Sequence, residues 1–220
     1  MRLVLFDTET TGLPKTKDPA TKGPNNWPHI VSLAWIVMEN DVIVKEEYRL
    51  IAPSGWTIPA DSTAIHGITH EHAEENGVAL GGALYEFLSE PADCWIAHNF
   101  NFDMNVIANA ALWDVGLPFK GFSKWFCTME ASAPICKLPK PNGWKGYKLP
   151  KLSELYKFIL RRDPKSDSLH NSLYDTRLLA EVIQNSYVLR EMIGLPKRNV
   201  VLSENDRASS SSRVMSISFP

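Results

Sequence analysis

Apolar and polar residues fall into short blocks along this chain, and the spacing within each block separates strands from helices. Short runs rich in β-branched and aromatic residues are typical of strands, whereas apolar residues three or four positions apart are typical of helices. The predicted strands are 2–9, 30–38, 42–51, 94–97 and 125–128. The predicted helices are 61–67, 69–77 with Thr69 as its cap, 78–89, 102–112, 128–133, one from Pro150 to about Leu160, and 172–192.

The order of these elements predicts an α/β fold built on a mixed β-sheet flanked by α-helices. The second and third strands are joined by Glu39-Asn40-Asp41, which favours a hairpin. A β-α-β unit and closing helices follow. We expect one domain over residues 1–200, with a basic loop containing proline and glycine at 134–150 and a flexible tail at 201–220.

Bulk properties restrict where the protein works. No run approaches the ~18 apolar residues that a membrane helix needs, and Asp7 interrupts the first apolar run too early for a signal peptide. Cys94, Cys127 and Cys136 lack C-x-x-C spacing, so we expect reduced thiols and no zinc site. These features predict a cytoplasmic protein without membrane contact.

The net charge of −2 hides an uneven distribution along the chain. Residues 1–117 carry 6 basic and 16 acidic side chains, whereas residues 118–165 carry 11 basic and 3 acidic side chains. A near-neutral total therefore does not exclude a partner such as nucleic acid, which is usually met by a basic surface.

Two carboxylates at the end of the first strand are the strongest chemical signal. Asp7 and Glu9 are two positions apart, so they face the same side of the strand. Like charges this close stay ionised at low cost only with a cation between them, and oxygen ligands favour Mg²⁺ or Mn²⁺. The phosphatase motif Asp-x-Asp-x-Thr is an alternative, but Glu9 is one methylene too long for it.

Two further segments supply acidic groups and a histidine. Asp103 falls in the first turn of a helix after the buried strand 94–97, where sites form in α/β sheets. His170 precedes Asp175 by five positions, so the two do not share a helix face. If Asp175 points inward, His170 can reach the same site from the loop and act as a general base.

Taken together, the three segments resemble the DEDDh-type 3′–5′ exonucleases, the group that contains the proofreading epsilon subunit of bacterial DNA polymerase III. The matching segments are Phe6–Gly12, His98–Asp103 and His170–Asp175. The sister group has a tyrosine where this chain has Asn171, so the histidine type fits better.

The resemblance implies a ribonuclease H-like fold and hydrolysis with two divalent cations, Mg²⁺ or Mn²⁺. Asp7 would bridge both cations, Glu9 and Asp175 would complete one site, and Asp103 would hold the second cation. His170 would take the proton of the attacking water. The resemblance also implies substrate contacts from further residues, namely Thr10, Thr11, His66, Asn99 and Phe102.

Lysines recur through the basic loop, interleaved with Trp144 and Tyr147, a pattern that suits the phosphates and bases of a single strand. We assign Lys145 and Lys148 to substrate binding, although a solvated loop is an equal alternative.

The sequence therefore predicts an exonuclease that releases nucleoside monophosphates from DNA 3′ ends. Nucleic acid with a free 3′ end is the expected partner, and a DNA polymerase or repair protein is a second one. Two alternatives stay open: an exoribonuclease for RNA or short oligoribonucleotides, and a non-catalytic nucleic-acid or polymerase-binding module. The oligomeric state stays undetermined.

Overall fold

The computed structural model describes residues 1–165 and 169–196 of the chain. Within these ranges the strands are β1 (Arg2–Thr10), β2 (Ile30–Glu39), β3 (Val42–Leu50), β4 (Cys94–Ala97) and β5 (Trp125–Cys127). The α-helices are α1 (Ala60–His66), α2 (His70–Asn76), α3 (Leu80–Leu88), α4 (Phe100–Asn109), α5 (Thr128–Cys136), α6 (Leu152–Leu160), α7 (Ser172–Asn185) and α8 (Tyr187–Ile193). The predicted tail 201–220 lies outside the described residues.

The strands form one mixed sheet in the order β3-β2-β1-β4-β5. β1 pairs antiparallel with β2 and parallel with β4, and β5 continues the parallel half. The hairpin between β2 and β3 turns through Asn40 and Asp41, both with positive φ. The predicted α/β fold with a mixed sheet is confirmed.

Helices cover both faces of the sheet, which buries its central strands. On one face, α7 packs Leu179 and Ile183 against Leu3, Leu5 and other apolar residues. On the other face, Phe6 and Trp35 pack with Phe87 of α3 and with α4. Because β1 and β4 are parallel neighbours, their carboxyl ends lie side by side at one edge of the sheet.

Three predicted elements differ from the structure by more than a residue or two in extent or number. The loop predicted at 134–150 begins later, because α5 continues past Pro134 and stops at Lys137 in the left-handed conformation. The helix predicted at 172–192 is two helices, since the Ser186 hydroxyl caps α8 by accepting the Leu189 N–H. The helix predicted at 102–112 starts at Phe100 and ends in a π-helical stretch, Ala110–Val115.

Cys94, Cys127 and Cys136 are all buried free thiols. In the part of the chain that the structure describes, no helix is both long and apolar enough to cross a bilayer.

Candidate active site

Three carboxylates from two elements converge at the carboxyl end of β1. One oxygen each from Asp7, Glu9 and Asp175 lies within 4.8 Å of the others. Asp7 and Glu9 share a side of β1, as their spacing predicts, and Asp175 comes from the first turn of α7. This trio joins the first and third predicted segments, which are more than 160 residues apart in the chain.

The start of α7 is held firmly, which determines where Asp175 points. The Asn171 side chain caps the helix by accepting the Tyr174 N–H at 3.0 Å. The Ser172 hydroxyl lies 2.8 Å from that of Ser32, which pairs with Glu9 across the sheet. Asp175 Oδ2 accepts the His170 N–H at 3.3 Å, whereas the buried Oδ1 has no hydrogen-bond partner among the described residues.

Asp103 lies beside this trio rather than within it. Its Oδ1 accepts two hydrogen bonds from Thr8, one from the backbone N–H at 3.1 Å and one from the hydroxyl at 2.8 Å. Its side chain is 3% exposed. Thr8 lies between Asp7 and Glu9 in β1, so the strand itself holds Asp103 next to them.

Burial raises the pKa of every carboxyl group in this cluster, and repulsion from neighbouring carboxylates raises the pKa of Asp7 and Glu9 further. Burial, followed by the charges of Asp103, Glu9 and Asp175, raises the pKa of Asp7 well above its ordinary value. Burial and the neighbouring aspartates raise the pKa of Glu9 to about 8. Burial raises the pKa of Asp103 to about 7 and of Asp175 to about 6, although bonds from Thr8 and His170 oppose these shifts. The negative charges of the four carboxyl groups must therefore be neutralised, either by bound protons or by cations.

The residues present fit a divalent cation. Their donors are oxygen atoms, the class that Mg²⁺ and Mn²⁺ prefer. Asp175 Oδ1 is buried and has no partner among residues 1–165 and 169–196, so a cation would satisfy it.

The backbone of His170 lies against the cluster in the loop before α7, where its N–H donates to Asp175. Its φ of 62° is left-handed, and its side chain is exposed beside the cluster. Burial lowers the pKa of His66, the Thr10 backbone opposes this, and the nearby charge of His170 lowers the pKa further. His66, Thr10 and His170 are therefore neighbours at the rim of the site.

The remaining predicted substrate residues lie in two places. Asn99 and Phe102 lie at the start of α4, whereas Thr10 and Thr11 lie at the end of β1. Asn99 has a φ of 81° at the start of α4, and Phe102 packs edge-on against Trp27 with ring centroids 5.9 Å apart. The Thr10 hydroxyl donates to the Gly12 carbonyl. Thr11 uses both its N–H and its hydroxyl on the backbone of His29, so its N–H is already bonded.

The two lysines assigned to substrate binding also differ. Lys145 is exposed. Lys148 Nζ lies 2.5 Å from Glu154 Oε1, so its charge is already paired.

Sequence reasoning missed two residues that position this site. Thr8 lies inside the segment Phe6–Gly12, but the sequence alone predicts no role for it. His98 follows β4, and its Nε2 lies 2.9 Å from the Pro150 carbonyl while Nδ1 lies 3.1 Å from the Thr128 hydroxyl. Burial lowers the pKa of His98 to about 4, so the ring is neutral at pH 7 and Nε2 carries its hydrogen. The sequence feature that could have identified His98 is its position directly before Asn99, at the start of the second matching segment.

Comparisons with known proteins agree with this geometry. A family model described as Exonuclease (RNase_T) matches residues 4–183. A "DNA polymerase III subunit epsilon-like protein" of Rhodobacter capsulatus is 32% identical over 114 residues, which cover 51% of this chain and only 15% of that relative's length.

Solved structures share the fold at low sequence identity. Exonuclease X bound to 5′-overhanging duplex DNA has a TM-score of 0.58 and 23% identity, covering 88% of this chain and 94% of its own. The nuclease domain of 3′hExo, a DEDDh family member bound to rAMP, has a TM-score of 0.62 and 15% identity, covering 90% and 94%. An E. coli ExoI–ssDNA complex has a TM-score of 0.61 and 15% identity, covering 88% and 43%.

Proposed function

The chain belongs to the exonuclease family, and we propose that it is a metal-dependent 3′–5′ exonuclease that releases nucleoside monophosphates from DNA 3′ ends. The observation that carries the proposal is the trio of Asp7, Glu9 and Asp175, with one oxygen each within 4.8 Å of the others. The buried Oδ1 of Asp175 has no partner in the described part of the chain, which supports the same proposal. A buried cluster of like charges is costly to fold, so its presence supports a catalytic use.

Asp7, Glu9 and Asp175 would hold one cation, and Asp7 with Asp103 would hold a second. When bound, two divalent cations supply a nucleophile at neutral pH and stabilise the charge on the leaving oxygen. The all-oxygen donor set supports Mg²⁺ or Mn²⁺ as the cations.

The protein's own residues would orient the reaction. Thr8 holds Asp103 through two hydrogen bonds, which keeps the second segment of the site against β1. His170 is exposed at the rim while its backbone is tied to Asp175, so the ring can approach the scissile phosphate and accept a proton from the attacking water. His66 and Asn99 would line the pocket of the terminal nucleotide.

The DNA preference rests on the epsilon-like relative and on the DNA-bound Exonuclease X and ExoI. RNA is the second candidate, favoured by the structural similarity to 3′hExo bound to rAMP. A polymerase or repair protein is the proposed protein partner, on the basis of the epsilon-like relative.

Digestion of 5′-labelled single strands tests this proposal. DNA and RNA of the same sequence are incubated with Mg²⁺, with Mn²⁺ and with chelator, and products are followed in time. We expect a ladder shortening from the 3′ end with either cation, faster for DNA, and none with chelator. Faster RNA digestion would reverse the preference. Binding of either strand with no cleavage under any condition would refute catalysis.

A further inference from the structure

Residues 137–149, which we name the lysine hairpin, form an ordered projection between α5 and α6. Its arms pair through a β-bridge between Pro139 and Tyr147 and through a 3.0 Å bond from the Lys148 N–H to the Leu138 carbonyl. Positive φ angles at Gly143 and Gly146 let the chain reverse at the tip. The segment is thus a built hairpin and not an unstructured lysine-rich loop.

The surface of the hairpin combines cations with aromatic rings. Trp144 is 73% exposed at the tip and Tyr147 is 45% exposed. Lys137, Lys140 and Lys145 are exposed, and none of them forms an ion pair with a residue in the ranges 1–165 and 169–196. The Lys140 ammonium lies over Gly146, so this side chain crosses from its own arm to the opposite one.

The base of the hairpin is tied to the candidate active site. Lys148 pairs with Glu154 in the first turn of α6, and Glu154 also accepts the Lys151 N–H at 2.8 Å. The Pro150 carbonyl accepts a bond from His98, which lies between β4 and the helix that carries Asp103. The base of the hairpin therefore lies at the carboxyl end of β4, the same end of the sheet as the carboxylates.

We propose that the lysine hairpin is a second binding site for the substrate strand, contacting nucleotides 5′ to the cleaved end. This inference rests on the proposed function, because it needs a nucleic-acid substrate. Unpaired ammonium groups suit phosphates, and an exposed indole suits a base that is free to stack, so the hairpin recognises a single strand. Phosphate and base chemistry are common to DNA and RNA, so the contact serves either strand.

The test compares long and minimal substrates. The variants K137Q/K140Q and W144A change exposed side chains of the hairpin only. The matched control K120Q/K124Q removes two lysines before β5, at the opposite end of the sheet from the carboxylates. Each protein is assayed on a 20-nucleotide single strand, as DNA and as RNA, and on the p-nitrophenyl ester of thymidine 5′-monophosphate, which has no nucleotide 5′ to the cleaved bond.

We expect W144A to raise KM for the 20-mer about fivefold or more, since a stacked aromatic contributes measurably to each bound base. K137Q/K140Q should weaken binding and flatten the plot of log KM against log salt by about 1.4, the slope of two phosphate contacts on a single strand. Activity on the nitrophenyl ester should stay within twofold of the parent, and K120Q/K124Q should match the parent on all substrates.

The outcomes separate this proposal from the proposed function. Unchanged KM and salt slope for both hairpin variants, in a protein that digests the 20-mer, would overturn the hairpin site alone. Equal loss on the nitrophenyl ester would also overturn it, because the effect would then act at the cleavage site. An inactive parent protein would refute the proposed function itself.

Discussion

The carboxylate cluster and the base of the lysine hairpin lie at the same end of the sheet, yet the two regions are built in opposite ways. Asp103 is 3% exposed and is held by Thr8 of β1, whereas Trp144 is 73% exposed and lies at the tip of a hairpin with its own hydrogen bonds. Three elements, β1, α4 and α7, place the carboxylates.

This difference in burial assigns catalysis to the carboxylate cluster and the binding of long strands to the lysine hairpin. Charged groups that are buried together act strongly on one another because the surrounding dielectric is low. Exposed lysines act weakly one by one and lose affinity in salt. Changes in the cluster should therefore alter turnover on every substrate, whereas changes in the hairpin should alter only the binding of long strands.

The largest expected effect is at Asp7, which would contact both cations. Asp7→Asn keeps the size of the side chain but removes its charge, so we expect turnover to fall about 10³-fold or more on the 20-mer and on the nitrophenyl ester alike. Asp18→Asn, an exposed aspartate in the loop before β2, is the matched control. Retention of a tenth of the activity by Asp7→Asn would contradict the role of the cluster.

His170→Ala tests whether the rim histidine moves a proton. Loss of a general base should lower kcat at neutral pH about 10²-fold or more and leave KM nearly unchanged. The loss should shrink at higher pH, where hydroxide replaces the base. His72→Ala on the exposed α2 is the control. An unchanged kcat, or a loss confined to KM, would make His170 a binding residue.

Thr8→Val tests the positioning of Asp103 and should have a smaller effect. The hydroxyl bond to Asp103 is lost, but the bond from the Thr8 backbone remains. We expect about a tenfold lower kcat, the scale of one hydrogen bond to a charged group. Thr8→Ser restores the hydroxyl and should restore the rate. Failure of Thr8→Ser to recover it would assign the loss to packing instead.

The smallest effect is a shift in thermal stability with pH. The carboxyl groups of the folded protein have raised pKa values, about 6 for Asp175, 7 for Asp103 and 8 for Glu9. The folded state therefore binds more protons than the unfolded state between about pH 4 and 8, so stability falls as pH rises through this range. In chelator, we expect Tm to drop by about 4 °C or more from pH 5 to 8.5.

Saturating Mg²⁺ or Mn²⁺ should reduce the slope of Tm against pH, because bound cations replace the protons on the carboxyl groups. Asp7→Asn should reduce it in chelator as well, since it removes one of the repelling charges. A Tm in chelator that rises over the same range would contradict the raised pKa values. The hairpin variants are the control, because they leave the cluster intact and should keep the slope of the parent.

Local patterns were sufficient for much of the fold and for the membership of the cluster. β4 has the predicted bounds, and β1 extends one residue beyond them. Asp7 and Glu9 face one side because side chains alternate along any strand. Asn171 and Thr69 cap their helices through bonds three residues away, so the sequence determines these helix starts almost directly.

The predictions were wrong where contacts between distant parts of the chain outweighed a local sequence pattern. Proline normally ends a helix, yet α5 continues to Cys136, which is buried with Leu155 and Leu178. Apolar spacing continues from α7 into α8, so periodicity alone could not show that Ser186 separates them. Lys148 belongs to a basic run by sequence, but the fold places Glu154 beside it.

The sequence by itself determined the family, the oxygen donors of the carboxylate cluster and the strand that carries two of its members, because these depend on residue types and short spacings. Only the tertiary structure decided that Thr8 holds Asp103, that a buried oxygen of Asp175 has no partner within the described ranges, and that His98 ties the base of the lysine hairpin to the site. The Thr8–Asp103 and His98–Pro150 bonds join residues 95 and 52 positions apart. Their geometry follows from packing helices on both faces of the sheet, which no local pattern encodes.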